Sequence, residues 1–556
     1  MAVVAEAAAQ RVGRRRLLVP ERPRLTDPVL LASLAVPPLL VATVGGPYSY
    51  MGLLLPLAVA AWRLLLPLAR QSRGMDIELL FLLAHMYAVS TGRPPRRRLF
   101  ELNTVIGGYG VYQAVLRRIA VLAVEWGYGF VRAVRIYAAR VANDAFRGFL
   151  IRMSEVLRTG DDVVRFLRVE LGTAIRQFNS SYLRSIDMLR MFLGLYATLL
   201  SASVFVILTF TILTLFVGGD TRFFITSIAI LTAIISVFAI LAGMIVPEDR
   251  IVYHPPGGHP RLRRLRAATL AAFAASVTAG PLVYLETRDP MYTILAFALP
   301  AVAPGLVALR IEGYVKRLNQ FYQVFVRSFG LTYSVIPNYA KALASILAAD
   351  YGELTPYIRR LHARITNGVD PHLAFRLFAE ETLSMDVVRG TNIIVDSIDA
   401  GGDPSEVGIM LNDLLIRLND LRIDRDRVTR TFEAVVYMMQ GLVAAISSAV
   451  INILVLFSEY YRRLSDIANV APQAAAYLPF HITIPDMGLV SWAMALFLTA
   501  LIVVNSVVIA RVRSSLFEIS LLHTALLTIV TVTGVKAMEL AARSLIAPLM
   551  LPAPTP

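Results

Sequence analysis

Residues 144–148 read Asp-Ala-Phe-Arg-Gly, and residues 386–390, which lie 242 positions later, read Asp-Val-Val-Arg-Gly. The same offset relates three further pairs: Tyr109-Gly110 and Tyr351-Gly352, Arg117-Arg118 and Arg359-Arg360, and Gly160-Asp161 and Gly402-Asp403. From Tyr109 to Asp161, ten of 53 positions are identical to their counterparts without a gap, where average composition gives about three by chance. Hydrophobic segments flank both repeats at the same offset. The sequence therefore predicts that a module with membrane and cytoplasmic parts occurs twice.

The composition is typical of an integral membrane protein. Apolar residues make up 56% of the 556 positions, and the mean hydropathy is +0.62. Several long apolar runs carry no charge, which argues against a soluble enzyme. The chain has no cysteine, and this excludes disulfides, thiolate metal sites and cysteine nucleophiles. Residues 1–27 are rich in arginine and lack the apolar core of a cleavable signal, so we expect this end to stay in the cytoplasm.

Nine apolar segments are predicted to span the membrane. They are Val29 to Val44, Met51 to Leu68, Met191 to Val217, Phe223 to Val246, Ala267 to Tyr284, Tyr292 to Leu309, Ala434 to Phe457, Met487 to Ala510 and Leu521 to about Leu545.

The loops between the spans predict the orientation. The short loops 45–50, 218–222 and 285–291 carry at most one arginine each, whereas the linker 247–266 contains the cluster Arg261 to Arg266. The positive-inside rule then places the N-terminus, this linker and both large polar segments in the cytoplasm of a multi-pass cell-membrane protein. Nine spans put the C-terminus outside.

The large polar segments are predicted to be helical, because apolar residues recur at helical spacing, glycine and proline separate the runs, and alternating strand patterns are missing. Each segment is interpreted as a bundle of about six helices, the last of which continues into a membrane span. The predicted fold is an all-α integral membrane protein with about nine transmembrane helices and two duplicated cytoplasmic helical-bundle domains. Its parts are a basic tail (1–27), a transmembrane hairpin (28–68), cytoplasmic domain 1 (69–190), a transmembrane pair (191–246), a basic linker (247–266), a second hairpin (267–309), cytoplasmic domain 2 (310–433), a transmembrane helix (434–457), an external loop (458–486) and the C-terminal transmembrane helices (487–556).

No catalytic constellation is visible in the sequence. A P-loop is missing, and the seven histidines show no metal-ligand spacing, so the prediction is a chain without nucleotide site, metal or cofactor that is not an enzyme. His85 lies on an apolar helix and is expected to be a core or lipid-facing histidine. Lys536 and Glu539 are the plausible charges inside a span; being three residues apart, they are expected to form a structural pair, with a charge relay as the alternative.

Clusters of basic residues and one glycine turn are the candidate docking features. The basic clusters next to the predicted bundles fit either an acidic partner or anionic lipid headgroups, which attract each basic residue by about 1 kcal/mol. Lipid is the preferred interpretation for the linker cluster, and a role in the fold or in docking is preferred for the arginine pair that occurs in both repeats. In the turn that precedes the helical run from Val407, glycines permit a tight reversal and Asp403 or Ser405 can cap the next helix. The candidates for docking are Arg96, Arg97, Arg98, Arg117, Arg118, Arg359, Arg360, Gly401, Gly402, Asp403 and Glu406.

The pattern resembles the type II secretion F-like platform proteins, in particular the archaeal branch that serves type IV pili and the archaellum. The resemblance rests on the turns Thr159 to Asp162 and Gly401 to Ser405 before amphipathic helices, on the opening segment Gly74 to Gly92, and on the spans after each domain. It covers about residues 25–548. The first repeat departs from the pattern, because only one glycine precedes Asp161-Asp162.

This resemblance implies a non-enzymatic platform in the cell membrane, acting as a homodimer beneath a growing filament. It further implies docking on a hexameric secretion ATPase, whose cycles would move the cytoplasmic domains while the membrane part lifts pilin subunits into the filament base. Membrane lipids are the other expected partner, and nucleic acid is not expected.

Two other classes of function are alternatives to the platform. A transporter built from two repeats requires broken helices and a polar site near the middle of the bilayer, and the uninterrupted segments Met191 to Val217 and Ala434 to Phe457 argue against it. A membrane enzyme lacks any convincing set of residues.

Overall fold

A computed structural model describes residues 74–217, 221–245, 249–470, 487–513 and 516–546. Within these ranges the chain is helical, and its extended pairing is limited to an isolated bridge between Val252 and Ser384. The helices are α1 (Ile77–Ser90), α2 (Arg96–Phe100), α3 (Gly110–Val124), α4 (Phe130–Ala138), α5 (Asp144–Thr159), α6 (Val163–Val217), α7 (Thr221–Ile245), α8 (Pro260–Thr287), α9 (Pro290–Ala298), α10 (Val302–Val335), α11 (Tyr339–Ile346), α12 (Thr355–Thr366), α13 (Pro371–Thr382), α14 (Met385–Asp399), α15 (Pro404–Val470), α16 (Met487–Val512) and α17 (Ile519–Ile546), with short 3-10 turns at Leu299–Ala301 and Gly352–Leu354. The all-helical prediction is confirmed for these residues.

The described residues contain six helices that are long and apolar enough to cross a membrane, which makes this a multi-pass membrane protein. These are Val163–Thr209, Pro260–Thr287, Pro290–Val335, Pro404–Glu459, Met487–Val512 and Ile519–Ser544. The predicted span from Phe223 falls on α7, of which Thr226–Phe238 counts as a shorter apolar helix. The predicted tail, the first hairpin and most of the external loop lie outside the described residues. The total of nine spans stays a prediction.

The order of the helices follows the repeat in the sequence. Five elements of the second repeat begin within one residue of the positions expected when 242 is added to the helix starts of the first repeat. The equivalent elements are α2 and α11, α3 and the 3-10 turn at Gly352, α4 and α13, α5 and α14, and α6 and α15. Gly110 and Gly352 also share a left-handed backbone, with φ of 56° and 50°. Glycine tolerates this conformation without steric cost, so the Tyr-Gly pair starts a helix in the same way twice.

The chain forms two compact units. The first contains the described residues 74–182, 319–382 and 386–417, so helices from both predicted cytoplasmic domains pack within it. The second contains residues 183–318, 383–385 and 418–546 as far as they are described. Helices α6, α10 and α15 have residues in both units.

Hydrogen bonds join four helices in the core of the second unit. Tyr196 Oη on α6 donates to Asn505 Oδ1 on α16 at 2.5 Å, and Asn505 Nδ2 donates to Gln440 Oε1 on α15 at 2.9 Å. Gln440 Nε2 in turn donates to Thr531 Oγ1 on α17 at 2.9 Å. All four side chains are buried. Such bonds hold spans together in lipid, where hydrophobic burial no longer drives association.

The glycine of the repeated Asp-x-x-Arg-Gly motif has different surroundings in the two repeats. A Cβ atom on Gly390 would lie 2.5 Å from Tyr322 Oη and 2.8 Å from its ring, so α14 and α10 approach each other closely at this point. A Cβ atom on Gly148 would meet only the end of the Arg152 side chain, at 3.2 Å. The same residue is therefore needed for packing in the second repeat and not in the first.

We expect Gly390→Ala to lower the stability of the protein and Gly148→Ala to leave it unchanged or raise it. The first change overpacks a filled core at a cost of about 1 to 3 kcal/mol. The second exchanges glycine for a better helix former, a gain of about 1 kcal/mol in an open helical position. Thermal unfolding of the two single variants in detergent measures the difference, and equal shifts in the two variants contradict the packing argument.

Candidate functional site

Helices α1 and α14 run parallel in the first unit and meet through polar side chains. Arg389 donates to Glu78, and His85 is bonded to Asp396 at 2.9 Å. In each of these pairs the two residues are 311 positions apart in sequence. The two pairs are seven residues apart on each helix, which is two helical turns, so they lie on one face. We call these two pairs, with the glycine contact at their C-terminal end, the α1–α14 seam.

The glycine contact brings the ends of the two helices together. A Cβ atom on Gly92 would lie 2.3 Å from the carbonyl oxygen of Ala400, and one on Gly402 would lie 2.7 Å from Thr91 Oγ1. The Asp403 amide donates to the same Thr91 hydroxyl at 3.0 Å. Only residues without a side chain allow this approach. Gly402, the glycine of the Gly-Asp pair in the second repeat, is therefore needed where the two helices meet.

The Asp396 carboxylate is the centre of the seam. It accepts hydrogen bonds from His85 Nε2 at 2.9 Å, from the Asn103 amide at 3.0 Å and from the Arg98 guanidinium. His85 is also bonded through Nδ1 to the Tyr109 hydroxyl at 3.0 Å. Asp396 and His85 are both buried. A buried carboxylate is tolerated only when charged and polar partners replace the lost water, and here three donors do so.

Burial and the charged partners have opposite effects on the pKa of Asp396. Burial raises the pKa of the carboxyl group, but the hydrogen bond and charge of His85 together with the charge of Arg98 outweigh it, so the pKa lies below its ordinary value. The group is therefore ionised at neutral pH. Arg98, expected from the sequence to dock a partner, contacts this internal carboxylate instead of facing solvent freely.

A cavity of about 450 Å³ opens beside Asp396. It is lined by Leu102, Asn103, Thr104, Val105, His372, Val395, Asp396 and Asp399. His372 Nε2 lies 3.2 Å from Asp399 Oδ2, and burial raises the pKa of the Asp399 carboxyl group. Across the described part of the chain, no group of three or more His, Asp or Glu side chains is placed to hold a metal ion. The arrangement is suited to hold two helices in register, and it pairs no nucleophile with a base.

The predicted docking arginines fall into two groups. Arg96, Arg117, Arg118 and Arg359 are exposed, whereas Arg97 is exposed but forms an ion pair with Glu101 at 2.8 Å. Arg360 is also exposed but forms an ion pair with Glu381 at 3.0 Å. The arginine pairs that the repeat singled out are thus available to a partner, with the second arginine of the second pair partly engaged.

The turn from Gly401 to Glu406 has structural partners within the first unit. Gly401 has a φ of 73°, and Asp403 Oδ1 accepts from the Ser405 amide at 2.9 Å, so Asp403 caps α15 as one of the two predicted alternatives. Glu406 accepts from Tyr87 and from Arg168 of the first repeat. These contacts explain the turn without a partner protein.

The predicted intramembrane pair has a third member. Lys536 Nζ donates to Glu539 Oε2 at 3.0 Å, as the spacing predicted, and to Asp289 Oδ2 at 2.5 Å. The ammonium group also lies 4.8 Å from the centre of the Tyr292 ring. Asp289 belongs to the short loop between α8 and α9, which the sequence places outside the membrane. The cluster therefore attaches this loop to the last span.

Sequence reasoning missed two of the carboxylates that organise these sites. In the sequence, Asp396 is one of several acidic residues on a predicted helix, and Asp289 is part of a short polar loop. Of the two alternatives for His85, core or lipid-facing, the structure shows the first, but nothing local to it indicates a partner 311 positions away. A polar residue on an otherwise apolar helix is the available signal, because a buried histidine requires a hydrogen-bond partner.

Two curated proteins are similar to this chain. Flagella accessory protein J of Methanocaldococcus jannaschii is 26% identical over 375 residues, which are 64% of this chain and 66% of that protein. A protein of the same name from Methanococcus voltae is 23% identical over 428 residues, which are 73% of this chain and 74% of that protein. The chain is thus similar to two archaeal proteins that carry the name Flagella accessory protein J. The resemblance to archaeal platform proteins is thereby confirmed.

The similarity to Flagella accessory protein J covers just under two thirds of the first relative's length. No protein-family model matches the chain, and no solved structure is significantly similar to it.

We expect Asp396→Asn to destabilise the protein by about 2 to 4 kcal/mol, because it removes one partner of a buried ion pair. The folded pKa of Asp396 lies below its unfolded value of about 3.9. Its contribution is therefore complete above about pH 4 and is lost as the pH falls through the folded pKa. Unfolding followed in detergent between pH 7 and pH 3 should show a smaller loss of stability on acidification for the variant than for the wild type.

Asp399→Asn is the matched control, since Asp399 lies one turn further along and is partly exposed. It should cost less than about 1 kcal/mol at pH 7, as is usual for an exposed ion pair. If the two variants lose the same stability, the seam does not depend on Asp396.

Proposed function

We propose that this chain is the membrane platform for assembly of an archaellum or a related type IV pilus-like filament. In this proposal it couples a cytoplasmic hexameric secretion ATPase to the insertion of pilin subunits at the filament base, and it works as a homodimer with its N-terminus inside and its C-terminus outside. The observation that carries the proposal is the similarity to two proteins named Flagella accessory protein J. The helical, multi-pass architecture supports it.

The long helices provide the mechanical part of this function. Helix α6 has 55 residues and α15 has 67, and each includes a predicted membrane span. At about 1.5 Å per residue these helices are about 80 and 100 Å long. An unbroken helix resists bending, so a movement imposed on its cytoplasmic part is passed on to its membrane part. The α1–α14 seam supports this role by holding helices of both repeats in one unit.

The energy for assembly comes from a partner in this proposal. The sequence contains no G-x-x-x-x-G-K-[ST] motif and only three lysines, so ATP hydrolysis through a P-loop is not expected of this chain. Purifying the full-length chain from its native membrane tests the function directly. The expected result is co-purification of a secretion ATPase, with nucleotide hydrolysis by the complex and none by the chain alone. Hydrolysis by the isolated chain contradicts the proposal.

The exposed arginine pairs are the proposed contact with the ATPase. We expect reversal of Arg117, Arg118 and Arg359 to glutamate to weaken binding of the ATPase at least tenfold, because each reversed charge replaces attraction to an acidic partner with repulsion. Arg360 is left unchanged, since its ion pair with Glu381 stabilises the fold.

A variant with Arg263 and Arg264 reversed is the matched control, because these arginines belong to the linker cluster assigned to lipid. It should retain the affinity for the ATPase and lose affinity for anionic vesicles. Unchanged ATPase affinity in the first variant rules out these arginines as the docking surface.

A further inference from the structure

The face of α1 that forms the seam has an uncovered counterpart in the second repeat. Leu82 and Val89 are fully buried, at 0% exposure, in a helix that α14 covers. The offset of 242 leads from them to Val324 and Leu331 on α10, which are 55% and 40% exposed. Gln320 and Arg327 stand at the positions equivalent to Glu78 and His85, and both are exposed. We call Gln320, Val324, Arg327 and Leu331 the α10 face.

The partner of α1 also has an uncovered counterpart, in the first repeat. On α14, Ile393 and Ser397 are buried at 0% exposure. Their equivalents on α5 are Ile151, which is 53% exposed, and Glu155, which is exposed as well. Arg147 is equivalent to Arg389, which contacts Glu78 in the seam. We call Arg147, Ile151, Glu155 and Arg158 the α5 face.

Each chain therefore uses one face from each repeat and leaves the equivalent two uncovered. The seam joins α1 of the first repeat to α14 of the second. The uncovered faces are α10, equivalent to α1, and α5, equivalent to α14. Surfaces with the same place in a repeated fold have related shapes, so what covers α1 within the chain indicates what fits α10.

We propose that a second copy of this chain covers these surfaces, with the α5 face of one chain docked on the α10 face of the other and the reverse contact formed at the same time. The reciprocal arrangement closes on itself around a two-fold axis. It gives the homodimer of the proposed function a surface, but it is argued from the internal repeat and stands independently of filament assembly.

The side chains near the centre of the two faces can pair across such an interface. Arg327 takes the place of His85, and the buried Ser154 takes the place of Asp396, so the nearest exposed carboxylate on α5 is that of Glu155. Glu155 forms ion pairs with Arg158 and Arg135 of its own chain; both pairs are exposed, so Glu155 can also accept from Arg327 of the other chain in the proposed interface. Apolar side chains flank them on both sides, Val324 and Leu331 on α10 and Ile151 on α5, as in the buried centre of a protein interface.

The absence of cysteine from the chain makes a direct test possible. Val324→Cys and Ile151→Cys are placed in two differently tagged full-length chains, which are produced together and oxidised in detergent. The expected product is a disulfide-linked species of twice the chain mass that carries both tags, with neither variant cross-linking to itself. Maleimide labelling of each variant verifies that its thiol is accessible.

Trp126→Cys is the matched control for Ile151→Cys, since Trp126 is similarly exposed at 54% but lies outside the α5 face. Combined with Val324→Cys it should give less than a tenth of the cross-linked product. Adding Arg327→Glu to the Val324→Cys chain should reduce the cross-link with Ile151→Cys about tenfold, and adding Glu155→Arg to the partner chain should restore it.

Two results overturn the proposal. Cross-linking of Val324→Cys to itself shows that α10 faces pair with each other, and the absence of a mixed cross-link between accessible thiols shows that a second copy does not cover this surface. Neither result affects co-purification with an ATPase, which tests the proposed function separately.

Discussion

The first unit depends on one carboxylate that has been removed from water. Asp396 is buried, and it stays ionised because His85, Arg98 and the Asn103 amide all donate to it. Breaking such a group of bonds leaves a charge in a poorly solvating interior, which is far more costly than losing an exposed ion pair. The constraint fixes the register of α1 against α14, and the close glycine contact at the end of the seam follows from that register.

The two repeats show how one sequence pattern acquires different roles. The Asp-x-x-Arg-Gly motif begins a helix in both, but Arg389 crosses to Glu78 of the other repeat, whereas Arg147 bonds to the nearby carbonyl of Val141. Once the repeats pack against each other, equivalent positions no longer have equivalent neighbours. This asymmetry leaves one face of each repeat exposed.

The spans of the second unit are joined by hydrogen bonds and small residues, whereas the α1–α14 seam of the first unit depends on ion pairs. Asn505 and Gln440 link spans that are distant in sequence, and a Cβ atom on Gly534 would lie 2.9 Å from the Gly441 carbonyl oxygen, so α15 and α17 pack closely. Lipid offers no hydrophobic gain for bringing spans together, and close packing with satisfied polar groups provides the cohesion. The long helices α6, α10 and α15 have residues in both units.

The sequence by itself determined the helices, the six apolar spans found among the described residues, the helix starts that repeat at one offset, and the Lys536–Glu539 pair. These features depend on composition, periodicity and neighbours a few residues apart. Only the tertiary structure decided that Arg98 faces inward, that His85 has Asp396 as its partner, and that Gly390 is constrained while Gly148 is not. These outcomes depend on contacts between residues that are tens to hundreds of positions apart, and no local sequence pattern indicates which surfaces meet.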